Sequence, residues 1–213
     1  MNHITLRRRV VEKKEDYLMT TETNPQVLSV CYARGWCANP NYMTFTEAAK
    51  VTNIGTAFAT NTAIRHFEEL EYFGIKSIPA FAFKTCSSLA KIKLPNGITS
   101  IEQRAFTQCY ALANIEIPNS VTTIGNDCFT YCSKLTKVEI GTGIKTISAW
   151  ALGTIGALRN VTIRATVPPN IAPNTFSSSN NAIFYVPESS VDAYKAKTNW
   201  SALASRIQAI PTN

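Results

Sequence analysis

Six cysteines and two histidines are the residues of this 213-residue chain with the most evident chemistry. They could form disulfides, hold a metal ion, or supply a nucleophile and its base. Cys86, Cys109 and Cys132 are evenly spaced, the step from the first to the second being repeated from the second to the third. A repeating element would set them in one column, where three thiols cannot pair off completely, so reduced thiols filling small buried sites are expected. Cys128, next to Phe129, takes the same reading. Cys31 and Cys37 lie six apart around Gly35; this permits a local disulfide without requiring one, and it is too wide for a zinc pair, which usually has roughly two to four intervening residues. With only His3 and His66 and no clustered carboxylates, neither metal nor cofactor is expected. His66, near Glu68 and Glu69, is a candidate base, but no nucleophile and orienting group are marked beside it. The chain therefore reads as non-enzymatic.

The elements that must position these residues follow the same beat as the cysteines. Ile78, Ile101, Ile124 and Ile147 recur at that step, as do Phe83, Phe106, Phe129 and Leu152, and Leu89, Leu112, Leu135 and Leu158. Ile92, Ile115, Val138 and Val161 keep it, with Leu94, Ile117, Ile140 and Ile163 two positions later, and Ile98, Val121 and Ile144 beyond them. Unrelated helices and strands have no reason to share a period, so a repeat array is implied. About seven apolar side chains per unit, worth roughly 2 kcal/mol each when buried, cannot offset ordering of roughly 1 to 2 kcal/mol per residue. A single repeat cannot fold, and stacked repeats with a continuous core can.

Within a unit, Ile115 and Ile117 alternate with polar residues and stop at Pro118, which reads as a short strand and a turn. Val121 to Ile124 is again extended. Glu102 to Cys109 has better helix formers and predicts one or two turns of helix. The fold class is an α/β repeat: a right-handed solenoid with a stacked parallel β-sheet and short helical or 3-10 turns opposite.

If the alternating apolar residues face inward, their neighbours face out. Two exposed columns result, Lys91, Asn114, Lys137 and Asn160 in one, and Lys93, Glu116, Glu139 and Thr162 in the other. These are the candidate partner-binding residues, because extended solenoid faces commonly serve recognition. Tyr110 and Tyr131, beside the cysteine column, are further exposed aromatics. The partner class is a protein. The net charge of +7 is dispersed, and the dense run Arg7 to Arg9, Lys13 and Lys14 is offset by Glu12, Glu15 and Asp16, so no nucleic-acid partner is expected. No apolar run approaches the roughly 20 residues of a membrane span, and no secretory signal is visible after Arg9.

The ends differ from the middle. Residues 1–25 read as a basic and acidic tail or helix, and 26–77 as an N-terminal cap plus a worn repeat containing Ala57, Phe58 and Phe67. Thr44 and Glu47 fit a capping box. Residues 78–165 hold four repeats, the fourth altered, with Trp150 and Leu152 read at the alanine-phenylalanine pair and Ile155 at the cysteine position. Residues 166–213 form a C-terminal capping module in which Tyr194 and Trp200 are expected to pack.

The unit from Ile101 through Phe106, Cys109, Leu112, Ile115, Ile117 and Pro118 to Val121 closely resembles the BspA-like leucine-rich repeat, and the units starting at Ile78 and Ile124 match almost as well. The tail resembles the closing module often attached to such arrays. The resemblance implies adhesion or protein binding at a microbial, host-associated cell surface. A structural or scaffold role in an intracellular or virion-associated assembly, docked through an N-terminal segment ending near Pro40, is the alternative.

Overall fold

The computed structural model describes residues 16–212. The basic run at residues 7–14 and its acidic neighbours Glu12 and Glu15 lie outside the described residues. The elements are β1 (Tyr17–Thr20), α1 (Pro25–Ala33), β2 (Tyr42–Thr44), α2 (Phe45–Lys50), β3 (His66–Phe67), β4 (Ser77–Ile78), β5 (Lys91–Ile92), β6 (Ser100–Ile101) and β7 (Asn114–Ile117). They continue as β8 (Thr123–Ile124), β9 (Lys137–Ile140), β10 (Thr146–Ile147), β11 (Asn160–Ile163), β12 (Asn170–Ile171), β13 (Ile183–Val186), α3 (Val191–Ala196) and β14 (Ile207–Ala209).

Each repeat contributes a strand to each of two parallel ladders. One runs β4, β6, β8, β10, β12 and the other β7, β9, β11, β13, β14, with β3 and β5 forming a separate parallel pair. The register keeps the sequence period: Ile101 pairs Ile124, which pairs Ile147, and Ile115 pairs Val138, which pairs Val161. One added residue lies between Ile147 and its partner Ile171, in the repeat that carries Pro168 and Pro169. Burial alternates along the longer strands, with Ile115 and Ile117 inside and Asn114 and Glu116 outside. That is the period-2 consequence of pleating.

The third side of each repeat corrects the helix expected at Glu102 to Cys109. It is a chain of turns closed by i→i+3 bonds, such as the Thr107 N–H to the Arg104 carbonyl and the Cys109 N–H to the Phe106 carbonyl. Arg104 and Gln108 have φ of 55° and 62°, which breaks any continuous helix. The remaining N–H groups point along the array: Arg104, Phe106 and Gln108 donate to Asn126, Cys128 and Thr130 at 2.9 Å each. This gives a third ladder between repeats, so few backbone groups on the turn side need water.

The core is a set of stacked columns. Phe58, Phe83, Phe106 and Phe129 stack face to face with centroid spacings of 5.6, 5.2 and 5.3 Å. The worn repeat thus belongs to the array through Phe58. The thiols of Cys86, Cys109 and Cys132 are buried and donate to the carbonyls of Phe58, Phe83 and Phe106 at 3.0 to 3.1 Å. At the equivalent place in the next intact unit, the Ser179 hydroxyl donates to the Leu152 carbonyl at 2.9 Å. The column takes a small donor in these repeats and an apolar side chain, buried Ile155, in the one between Cys132 and Ser179. Cys31 and Cys37 are free, buried thiols.

Both ends are closed. Residues 17–20, grouped with the tail in the sequence, form β1, and Pro25 opens α1; β1 pairs antiparallel with β2. The Thr44 and Glu47 capping box is present, with the Glu47 N–H donating to Thr44 Oγ1 and the Thr44 N–H donating to Glu47 Oε2 at 2.8 Å. Buried Asn24 joins this cap to the worn repeat by donating to the His66 carbonyl and the Glu69 carboxylate. At the other end Tyr194 and Trp200 are fully buried. Tyr194 Oη donates to the Ala165 carbonyl and Trp200 Nε1 to the Pro169 carbonyl, at 2.9 and 2.8 Å.

Candidate binding surfaces

The strand face carries the residues singled out by alternation. Lys91 lies in β5, Lys93 just after it, Asn114 and Glu116 in β7, Lys137 and Glu139 in β9, and Asn160 and Thr162 in β11. The ladder aligns Asn114, Lys137 and Asn160 in one row and Glu116, Glu139 and Thr162 in the next. The rows run further than the period indicates, because His66 pairs Lys91 and Tyr185 pairs Thr162. Most of these side chains are exposed, while Glu139 and Thr162 are half-buried.

Three of the lysines and Glu139 already have partners. Lys91 is 2.6 Å from Glu68, Lys93 is 2.5 Å from Glu71, and Glu139 bridges Lys137 and Arg164 at 2.6 and 2.9 Å. The hydrogen bonds from Lys137 and Arg164 hold the Glu139 carboxyl below its ordinary range. Glu68, Glu71 and Arg164 are members of this surface that alternation along one strand does not identify, since they reach it from neighbouring turns and rungs. A cleft of about 240 Å³ opens between β5 and β7, bordered by Lys91, Lys93, Asn114 and Glu116. Its charges are of both signs and compensate one another, so this face does not concentrate one charge.

The turn side is the second surface. Trp150 does not occupy the alanine-phenylalanine pair, where the sequence reading places it; Ala151 and Leu152 do, and both are fully buried. Trp150 instead continues the column Phe81, Arg104, Asp127, each with positive φ. Thr85, Gln108, Tyr131 and Thr154 form a parallel column of the same backbone conformation. Tyr110, Tyr131 and Trp150 are exposed here.

Nothing in the described residues assembles chemistry around His66. The residue is exposed, and its carbonyl and Glu69 are both taken up by Asn24. Among the described residues no group of three His, Cys, Asp or Glu side chains is placed to hold a metal ion, and no helix there is long and apolar enough to cross a membrane. Burial raises every cysteine thiol, Cys86 and Cys132 to about 12, which opposes nucleophilic use.

Residues 52–183 match the BspA type leucine rich repeat region in six copies. The chain belongs to the BspA-type leucine-rich-repeat family. Solved structures of this kind include a leucine-rich-repeat protein of T. pallidum, 27% identical with a TM-score of 0.56 over 64% of this chain and 62% of that one. The pneumococcal vaccine antigen PcpA shares the fold at 22% identity and a TM-score of 0.55, over 73% of this chain and 36% of that one. The chain thus spans less than two thirds of the length of either. No curated protein matches it significantly. The BspA-type match reaches past Ile163 into the C-terminal segment, where β13 and β14 extend the same parallel ladder.

Proposed function

We propose that this chain is a non-enzymatic protein-binding module of the adhesion type, with the strand face as its contact surface. The observation that supports it is the pair of register-locked rows Asn114, Lys137, Asn160 and Glu116, Glu139, Thr162, with Lys91 and Lys93 across the cleft beside them, mostly solvent-facing and charged in both signs. A hydrogen-bonded ladder presents such rows with little backbone ordering left to be lost on binding. Ion pairs on an exposed surface contribute roughly 0 to 1 kcal/mol each, so exchanging them for a partner's charges costs little. Membership in a repeat family used broadly for recognition agrees with this reading.

The test is a pull-down from host-cell-surface, matrix and own-cell extracts with the full chain and with a variant carrying Lys91, Lys93, Lys137 and Glu139 all changed to Ala. Loss of a specific extracellular partner in the variant is the expected result. If the variant keeps every partner, and all of them come from the chain's own cell, the scaffold reading replaces this one.

A further inference from the structure

The turn side has chemistry that the strand face lacks. Between the two left-handed columns lies a cleft of about 490 Å³, within the roughly 300 to 1,000 Å³ usual for small-ligand sites. Two exposed rings line it, Tyr131 at 54% and Trp150 at 38% exposure, and no Val, Leu, Ile or Met side chain does. The Trp150 ring is seated by Gly153: a Cβ there would fall 2.8 Å from Trp150 Cε3. Gly153 takes the place that Lys84, Thr107 and Thr130 hold in the other repeats, so the ring gains its seat where the column loses its side chain.

The polar groups divide into spent and free. The floor threonines are spent, Thr107 Oγ1 donating to the Thr130 carbonyl and Thr130 Oγ1 to the Trp150 carbonyl. Along the wall, Arg104 and Asp127 pair at 3.3 Å, and Gln108 Oε1 accepts from Thr85 Oγ1 at 2.9 Å, which orients the amide and leaves its NH₂ group to donate. Neither the indole N–H of Trp150 nor the Tyr131 hydroxyl has a partner among the described residues.

We propose that this cleft binds a neutral oligosaccharide. A sugar ring has one face of C–H bonds and a rim of hydroxyls. The aromatic faces of Tyr131 and Trp150 suit the first, and the planar groups of Arg104, Asp127 and Gln108, donors and acceptors side by side, suit the second. A peptide anchor needs a desolvated apolar socket, which a wall without aliphatic side chains does not supply. Of the three charged groups lining the cleft, Arg104 and Asp127 pair with each other and Lys84 lies over the Phe81 ring at 5.8 Å, so no cluster of cations marks the cleft for a strongly anionic ligand. The left-handed positions recur at each rung with different side chains, Arg104 and Gln108 on one, Asp127 and Tyr131 on the next and Trp150 on the third, so the cleft crosses successive rungs and is long enough for linked rings. The site lies apart from the strand face and does not depend on its role.

The experiment uses the full chain on an array of neutral, acidic and sulfated glycans alongside peptides. It is followed by titration with soluble tetramers of β-linked glucose, N-acetylglucosamine and mannose, monitored by tryptophan emission. Trp200 is buried and Trp36 partly so, which makes Trp150 the responsive reporter. Expected is retention of neutral glycans, a saturable emission change with at least one tetramer, and affinity reduced at least about tenfold by Tyr131→Ala and by Gln108→Ala. Trp150→Ala should do the same by calorimetry, with Trp150→Phe recovering part. Thermal midpoints of the variants establish that they fold, and the strand-face quadruple variant should bind as wild type. Retention of acidic glycans or peptides alone, no retention at all, or affinities unchanged in the folded Tyr131 and Gln108 variants each overturns the proposal.

Discussion

Burial sets the behaviour of the thiols one residue at a time. A group held near 12, as Cys86 and Cys132 are, is thiolate to an extent on the order of 10⁻⁴ at pH 8. Ellman's reagent at that pH should therefore leave these thiols unmodified on the minute scale in the native chain and titrate all six cysteines in guanidinium; rapid native modification of Cys86 or Cys132 would contradict their burial. Glu139 has the opposite tendency. Its carboxyl is lowered in the fold by Lys137 and then Arg164, so the bridging contribution is present above the ordinary carboxylate value of about 4.3 and is lost as pH falls through the lower folded value. Carboxyl NMR should place its midpoint below that of an exposed glutamate, and Lys137→Ala with Arg164→Ala should raise it. Backbone conformation gives a third expectation. Thr60 is β-branched at φ 61°, a region that costs L-residues roughly 1 to 2 kcal/mol and that Asn visits more readily. Thr60→Asn should stabilise the chain by up to about 1 kcal/mol in denaturant unfolding, and a loss of stability would show that the Thr60 side chain has a packing role.

Elements are held by how closely neighbouring rungs approach. At Gly143 an added Cβ would lie 2.2 Å from the Asn119 carbonyl oxygen, a rigid backbone atom, so Gly143→Ala must push two rungs apart. The expected cost is about 1 to 3 kcal/mol, measured by chemical denaturation, whereas Gly156→Ala, with open space around it, should change little. The strand rungs are legible in the sequence because pleating forces alternation, and Ile115 and Ile117 display it over a few residues. The turn rungs are not. Their left-handed positions are filled by Arg104, Gln108, Asp127 and Tyr131, where local propensity gives no glycine or proline signal; bonds to the neighbouring repeat, distant along the chain, fix the conformation instead. The same distinction governs the surfaces. Alternation locates Lys91, Lys93 and Asn114, but Glu71, whose carboxylate meets Lys93, arrives from the 3-10 turn Glu68–Tyr72. Trp150 reads into the wrong column because Leu152 replaces phenylalanine and conceals the pair that marks the register.

At the scale of the whole molecule, a repeat array has few contacts beyond nearest neighbours, so its stability is a sum along one axis and its ends set where unfolding begins. The phenylalanine stack gives way at Leu152, and beyond it Phe176, Phe184 and Trp200 pack with edge and tilted contacts instead of parallel stacking. Trp200 touches both of those rings, packs against Tyr194 and donates to the Pro169 carbonyl. It therefore joins the capping segment to the last rungs at several points. Trp200→Ala and Phe106→Ala each remove a large buried ring and should each cost about 3 to 5 kcal/mol, yet the losses should be distributed differently. Hydrogen exchange should show Trp200→Ala releasing β13 and β14 first while β7 and β9 keep most of their protection. Phe106 lies between Phe83 and Phe129 at 5.2 and 5.3 Å, so its removal should lower protection on both sides of the third ladder together. Equal loss of protection across all rungs in both variants would mean that the array unfolds as one indivisible unit, and the nearest-neighbour account of its stability would fail.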